Sequence, residues 1–114
     1  MSGADLYEFL SRHRLGVLAT VTATGVPQSA LVGIAVTPEL ELVFDTLKTT
    51  RGLLAGDALR RYREVYFRAR PDGPDRLSWP GIVYFAVRPK WIRYSDFAVD
   101  PPLIHEVSVF GQKP

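Results

Sequence analysis

The chain has 114 residues, with 14 Lys and Arg against 12 Asp and Glu, and it contains no Cys. One domain with a single modest core is the expectation at this length, and disulfides, thiolate metal sites and cysteine nucleophiles are excluded. A composition 46% apolar and 23% charged excludes a disordered or collagen-like chain, and a net charge of +2 gives no ground for a nucleic-acid partner.

At the N-terminus, Ser2 followed three residues later by Asp5 reads as a helix start, and Leu6, Phe9 and Leu10 share one helical face, so a short helix is expected to about Arg14. Asp5 and Glu8 stand where a signal peptide needs an uncharged apolar stretch, and no run approaches the roughly 18 apolar residues of a membrane span. A cytoplasmic protein with no membrane partner is therefore expected. "LGVLATVT", "ATGVP" and "QSALVGIAV" read as strand, turn and strand; "TPEL" supplies a second turn and "ELVFDT" a third strand, together an antiparallel meander. Gly33, inside the second strand, marks either a bulge, a close approach by backbone or ligand, or a mere weakening of the strand.

From Asp57, read as an N-cap, the residues Leu59, Tyr62, Val65, Tyr66 and Ala69 recur at helical spacing, with Arg60, Arg61, Arg63, Glu64 and Arg68 on the other face. The spacing predicts an amphipathic helix of about 13 residues. "RPDGPDRLSWPG" is a loop, and "IVYFAVRPKWIRYSDF" is either one edge strand bent at Arg88 and Pro89 or two strands meeting there. "LIHEVSVF" near the C-terminus offers one more strand. Strands in contiguous runs with two helices fit a mainly β fold with flanking helices, a small antiparallel barrel, better than a doubly wound parallel sheet.

Few residues offer acid, base or metal chemistry. His13 and His105 lie far apart without ligand spacing, so no metal is expected, and no G-x-S-x-G elbow occurs. Arginines near Tyr62, Tyr66, Trp91 and Tyr94 superficially suggest a stacking surface for nucleic acid, but a solvated helix face explains most of them. "DTLKTTRG" has two open readings. Thr46, Lys48, Thr50 and Arg51 offer the hydroxyls and cations that a phosphate needs, and they equally suit a polar strand exit.

The ordered stretches "LATVTATGVPQSALV", "LVFDTLKTTR", "PDGPDRLSWPG" and "VRPKWIRYSDF", after a short helix, resemble the pyridoxamine 5′-phosphate oxidase-like family of FMN-binding split barrels. The likeness covers residues 5 to 51 and about 59 to 97. It implies a split β-barrel of Greek-key antiparallel type over residues 1–97, with 98–114 as a C-terminal tail. It also implies a homodimer with FMN at the subunit interface and an oxidoreductase acting on a small molecule. By that resemblance Ser29, Ala30, Leu31 and Val32 line the flavin, and Thr46, Thr50 and Arg51, with Lys48 in the same arm, grip the ribityl phosphate. Trp91 and Tyr94 fall in the strand that often completes the site, and no catalytic acid or base is assigned.

Two departures stand out. Gly52 follows the arm's Arg where the family usually has Lys, and "GLLAG" between about 51 and 57 is far too short for the helix and two strands that family members carry there. The barrel is thus expected to lack about two central strands. A deazaflavin (F420)-dependent reductase and a non-catalytic, cofactor-free dimeric remnant or interaction module are the alternatives.

Overall fold

The computed structural model describes residues 2–47 and 56–112. Helix α1 spans Gly3–Arg12, and its cap is the one read from the sequence. The Ser2 hydroxyl accepts from the Asp5 N–H at 3.2 Å, while the Asp5 carboxylate accepts from the Ser2 N–H at 2.8 Å. Those bonds hold the Asp5 carboxyl below its usual range.

Strands β1 (Leu15–Val21) and β2 (Pro27–Gly33) form a two-stranded antiparallel ribbon, with Val17 opposite Leu31 and Ala19 opposite Ser29. The turn between them closes on Thr22, whose hydroxyl accepts from the Val26 N–H at 3.0 Å, and Gly25 supplies the positive φ of 87° that the turn needs.

The expected three-stranded meander is broken after Gly33. The following strand, β3 (Ala35–Val36), leaves the ribbon and pairs with β4 (Leu42–Leu47), and β4 pairs in turn with β5 (Ile82–Val87). Gly33 stands at this break because a side chain needs its space: an added Cβ would lie 2.9 Å from Cζ of Arg70. The close approach is thus by an arginine. The Ile34 N–H is satisfied outside either ladder, by the Arg14 carbonyl at 2.8 Å.

Helix α2 spans Gly56–Ala69, so Asp57 lies in its first turn and not at the cap. A 3₁₀ turn, Gly73–Arg76, occupies the expected loop. At Arg88 and Pro89 the chain passes from β5 to a separate strand, β6 (Trp91–Asp96), which pairs along its length with β7 (Leu103–Ser108). The C-terminal run is therefore a strand. Among the described residues the protein is mainly β, with three small antiparallel sheets and two α-helices, and the strands do not close into a barrel.

The main core lies between α2 and the β3–β4–β5 sheet, where Val43, Phe44, Tyr62, Tyr66 and Tyr84 are buried with Val32 and Ala35. A satellite core of Leu6, Val36 and Leu40 joins α1 to Ile92 and Tyr94 of β6. The radius of gyration is 15.3 Å. Roughly 13 Å is expected for a close-packed chain of about this length, so the molecule is extended.

Leu40 closes the turn between β3 and β4 with a φ of 69°, a left-handed conformation that costs a side-chain-bearing residue about 1–2 kcal/mol. Its side chain, only 5% exposed in the satellite core, offsets that cost. Substitution should invert the usual order: Leu40→Ala, which keeps the strain and loses the packing, should destabilise by about 2–5 kcal/mol, and Leu40→Gly by about 1 kcal/mol less. Urea midpoints of the two variants check this; Gly as the worse of the pair would mean that the backbone at residue 40 is not strained.

Candidate functional site

Successive residues of a strand face opposite ways, which divides the four β2 residues of the flavin resemblance into two pairs. Ala30 and Val32 share the other face; Val32 reaches the main core, while Ala30, nearer the turn, stays exposed. Ser29 and Leu31 face outward with Leu15, Val17, Ala19 and Val21 of β1, and this face is apolar and uncovered: Val17 is 71% exposed and Leu31 69%. One ligand on the ribbon could therefore meet Ser29 and Leu31 together, and not Ala30 or Val32.

Thr46 lies in β4, half-buried and paired with Val83. Lys48, Thr50 and Arg51 lie outside the described residues. Trp91 and Tyr94, three positions apart on β6, face opposite sides of their sheet. Tyr94 packs edge-on against Phe9 of α1 at 5.1 Å, while the Arg93 guanidinium lies 5.4 Å from the Trp91 ring. His13 stacks near Phe9, and among the described residues no His, Asp and Glu cluster could hold a metal ion.

Beside Thr46, the structure assembles a polar network that sequence reading missed. Asp45 accepts from the Tyr66 hydroxyl at 2.9 Å and from Arg76 Nε at 2.9 Å. The Tyr66 oxygen accepts in turn from Arg76 Nη2 at 3.1 Å, and Arg76 Nη1 donates to Asp72 at 2.9 Å. Burial, then the hydrogen bond to Asp45, pushes the Tyr66 hydroxyl up to about 12, so it is a proton donor at any physiological pH.

A second network sits one helical turn earlier. Glu41, buried just before β4, accepts from the Tyr62 hydroxyl through a short hydrogen bond and from Arg88 Nε at 3.0 Å. Burial alone would raise the Glu41 carboxyl, but the Tyr62 and Arg88 bonds outweigh it, and the carboxyl lies below its ordinary value. A signal for both networks was present in the sequence: Tyr62 and Tyr66 occupy the apolar helix face four residues apart, where hydroxyls need buried acceptors.

Among the described residues, two buried polar side-chain atoms lack a hydrogen-bond partner. The Tyr84 hydroxyl is one, and burial raises its pKa. Arg70 Nε is likewise unbonded, 3.8 Å from Asp72, while Arg70 Nη1 donates to the Arg14 carbonyl at 3.4 Å. The two networks can hold charge and position strands; with Tyr66 protonated and Arg76 raised above its already high ordinary value, they are poor proton shuttles.

Two tyrosines of one core should thus respond oppositely to loss of the hydroxyl. Tyr66→Phe leaves a buried carboxylate short of a donor and should cost about 1–3 kcal/mol, whereas Tyr84→Phe removes an unsatisfied group and should be neutral or stabilising. Because the Tyr66 pKa is raised on folding, its contribution is full below pH 10.0, the unfolded value, and is lost as pH rises toward about 12. Denaturant melts against pH should show that alkaline limb in the native sequence and a flatter one in Tyr66→Phe.

No known protein-family model matches this sequence, and no curated protein is found similar to it.

Proposed function

We propose that the protein is an FMN-binding oxidoreductase of the pyridoxamine 5′-phosphate oxidase-like class, acting on a small molecule as a split-barrel homodimer. The observation that carries this reading is the uncovered apolar face of the β1–β2 ribbon. Leu15, Val17, Val21 and Leu31 are each 60% or more exposed, and together they make a contiguous apolar patch of the kind that often carries a binding function. That face includes Ser29 and Leu31, two of the residues that the resemblance assigns to the flavin.

The described residues suit the ring half of such a site. Leu31 offers an apolar platform and Ser29 a hydroxyl on the same side of the strand. The phosphate would be held by Thr46 and by the arm of Lys48, Thr50 and Arg51 that follows β4. Asp45, the carboxylate nearest the arm in sequence, is turned to Tyr66 and Arg76, so its charge is compensated inside the protein. The bound flavin supplies the redox chemistry; the chain supplies orientation, apolar cover and a grip on the phosphate.

A cofactor-free dimer is the second reading. It is favoured by the open arrangement of the strands, which among the described residues leaves only β4 flanked on both sides. The visible absorption spectrum of purified protein separates the two readings, since flavin bands accompany the first alone.

Arg51 carries the charge of the arm where Gly52 replaces a second cation. Arg51→Ala should weaken FMN by about 10- to 150-fold, the worth of a charge-assisted hydrogen bond of about 1.5–3 kcal/mol, and should leave riboflavin, which has no phosphate, nearly unchanged. Fluorescence titration of both ligands decides; equal losses would place Arg51 in folding and not in phosphate binding.

The ribbon generates a prediction of its own. Light scattering should show a dimer, and Leu31→Asp, which sets a charge in the middle of the apolar face, should shift it toward the 12.7 kDa monomer. A native chain that stays monomeric at every concentration would remove the subunit interface from this reading.

A further inference from the structure

A cleft of about 330 Å³ opens between α1, β3 and α2, away from the outward face of the ribbon. Its lining is mixed: Leu10 of α1, Val36 of β3, Val65 of α2 and Ile34 are apolar, and Tyr7 and Ser11 of α1 add hydroxyls. Two arginines line the same cleft from different segments, Arg14 just past the end of α1 and Arg68 in the last turn of α2. No acidic side chain is among its lining residues.

The two arginines differ from most others of the chain. Arg60, Arg70, Arg76, Arg88 and Arg93 each face a carboxylate, and Arg61 and Arg63 lie over tyrosine rings. Arg14 and Arg68 have neither an ion-pair nor a ring partner for their guanidiniums among the described residues. A pair of uncompensated planar forks beside apolar side chains is complementary to a compact oxyanion joined to an apolar body. At ~30 Å³ for each water displaced, the volume admits a ligand of on the order of ten non-hydrogen atoms.

We propose that this cleft binds a small amphiphilic anion, a carboxylate or phosphate monoester on a short apolar chain, with Arg14 and Arg68 holding the head and Leu10, Val36 and Val65 covering the tail. The site is independent of the flavin reading, because none of Ser29 to Val32 nor Thr46 lines it. An empty flavin site would leave it standing.

The test is an NMR titration of the full chain with octanoate, hexyl phosphate and 1-octanol. Octanoate or hexyl phosphate should shift the amides of Tyr7, Leu10, Ile34 and Val65 saturably, at least tenfold more tightly than the uncharged alcohol. The tighter of the two anions assigns the head group. Arg68→Gln and Arg14→Gln, changes at exposed positions, should each weaken the anions about tenfold and leave octanol unchanged, and Arg68→Lys should restore part of the loss. Val65→Trp, which fills the cleft, should abolish binding of all three. Equal affinity for octanoate and octanol, shifts centred on the β1–β2 ribbon, or titrations that never saturate would each overturn the proposal.

Discussion

Helix α2 is fixed along β4 by two tyrosine hydroxyls, each donating to a carboxylate of the chain that forms that strand: Tyr62 to Glu41 at its entrance and Tyr66 to Asp45 within it. Each carboxylate also takes an arginine from another element, Arg88 past the end of β5 and Arg76 of the 3₁₀ turn. Three segments, α2, the exit of β5 and the 3₁₀ turn, are thereby tied to one strand. Buried charge is costly, and here the cost is offset by giving each carboxylate two donors or more, so that deleting any partner exposes the rest. Apolar packing of Val43 and Phe44 alone would tolerate a slide of α2 along the sheet; the paired hydroxyls do not, because each must find its own acceptor.

How much of this could be read beforehand depended on whether a residue's partner was local. The cap of α1 was readable because Ser2 and Asp5 satisfy each other within one turn. The face of α2 was readable from its period, although its start was not: Asp57 offers a cap-like side chain, but Gly56 is already helical. The strands were readable as strands, and their grouping was not. The run "QSALVGIAV" divides into two strands of different sheets after Gly33, where an arginine from far along the chain packs close and no local signal announces it. The pairings of Arg76 with Asp45 and of Arg88 with Glu41 were not readable because acid and base meet from distant positions. Of the candidate flavin residues, the alternation of β2 could have separated Ser29 and Leu31 from Ala30 and Val32 in advance, since strand parity needs no structure.

The edges left by this topology bear on any function of the ribbon. Among the described residues β4 alone has a hydrogen-bonded neighbour on each side, so most strands present one row of N–H and C=O groups to water. A two-stranded ribbon is marginal by itself, and here its inward face reaches the core through Leu18 and Val32 while its outward face stays bare. A ring seated on that outward face would cover apolar area and leave the edges open; a second copy could cover the face and an edge together. On the proposed reading the cofactor lies where two copies meet, so the two kinds of cover are not alternatives. On that reading each would stabilise the arrangement that the other needs, and cofactor affinity would depend on protein concentration, since a ligand that binds only the dimer draws monomers into it by mass action.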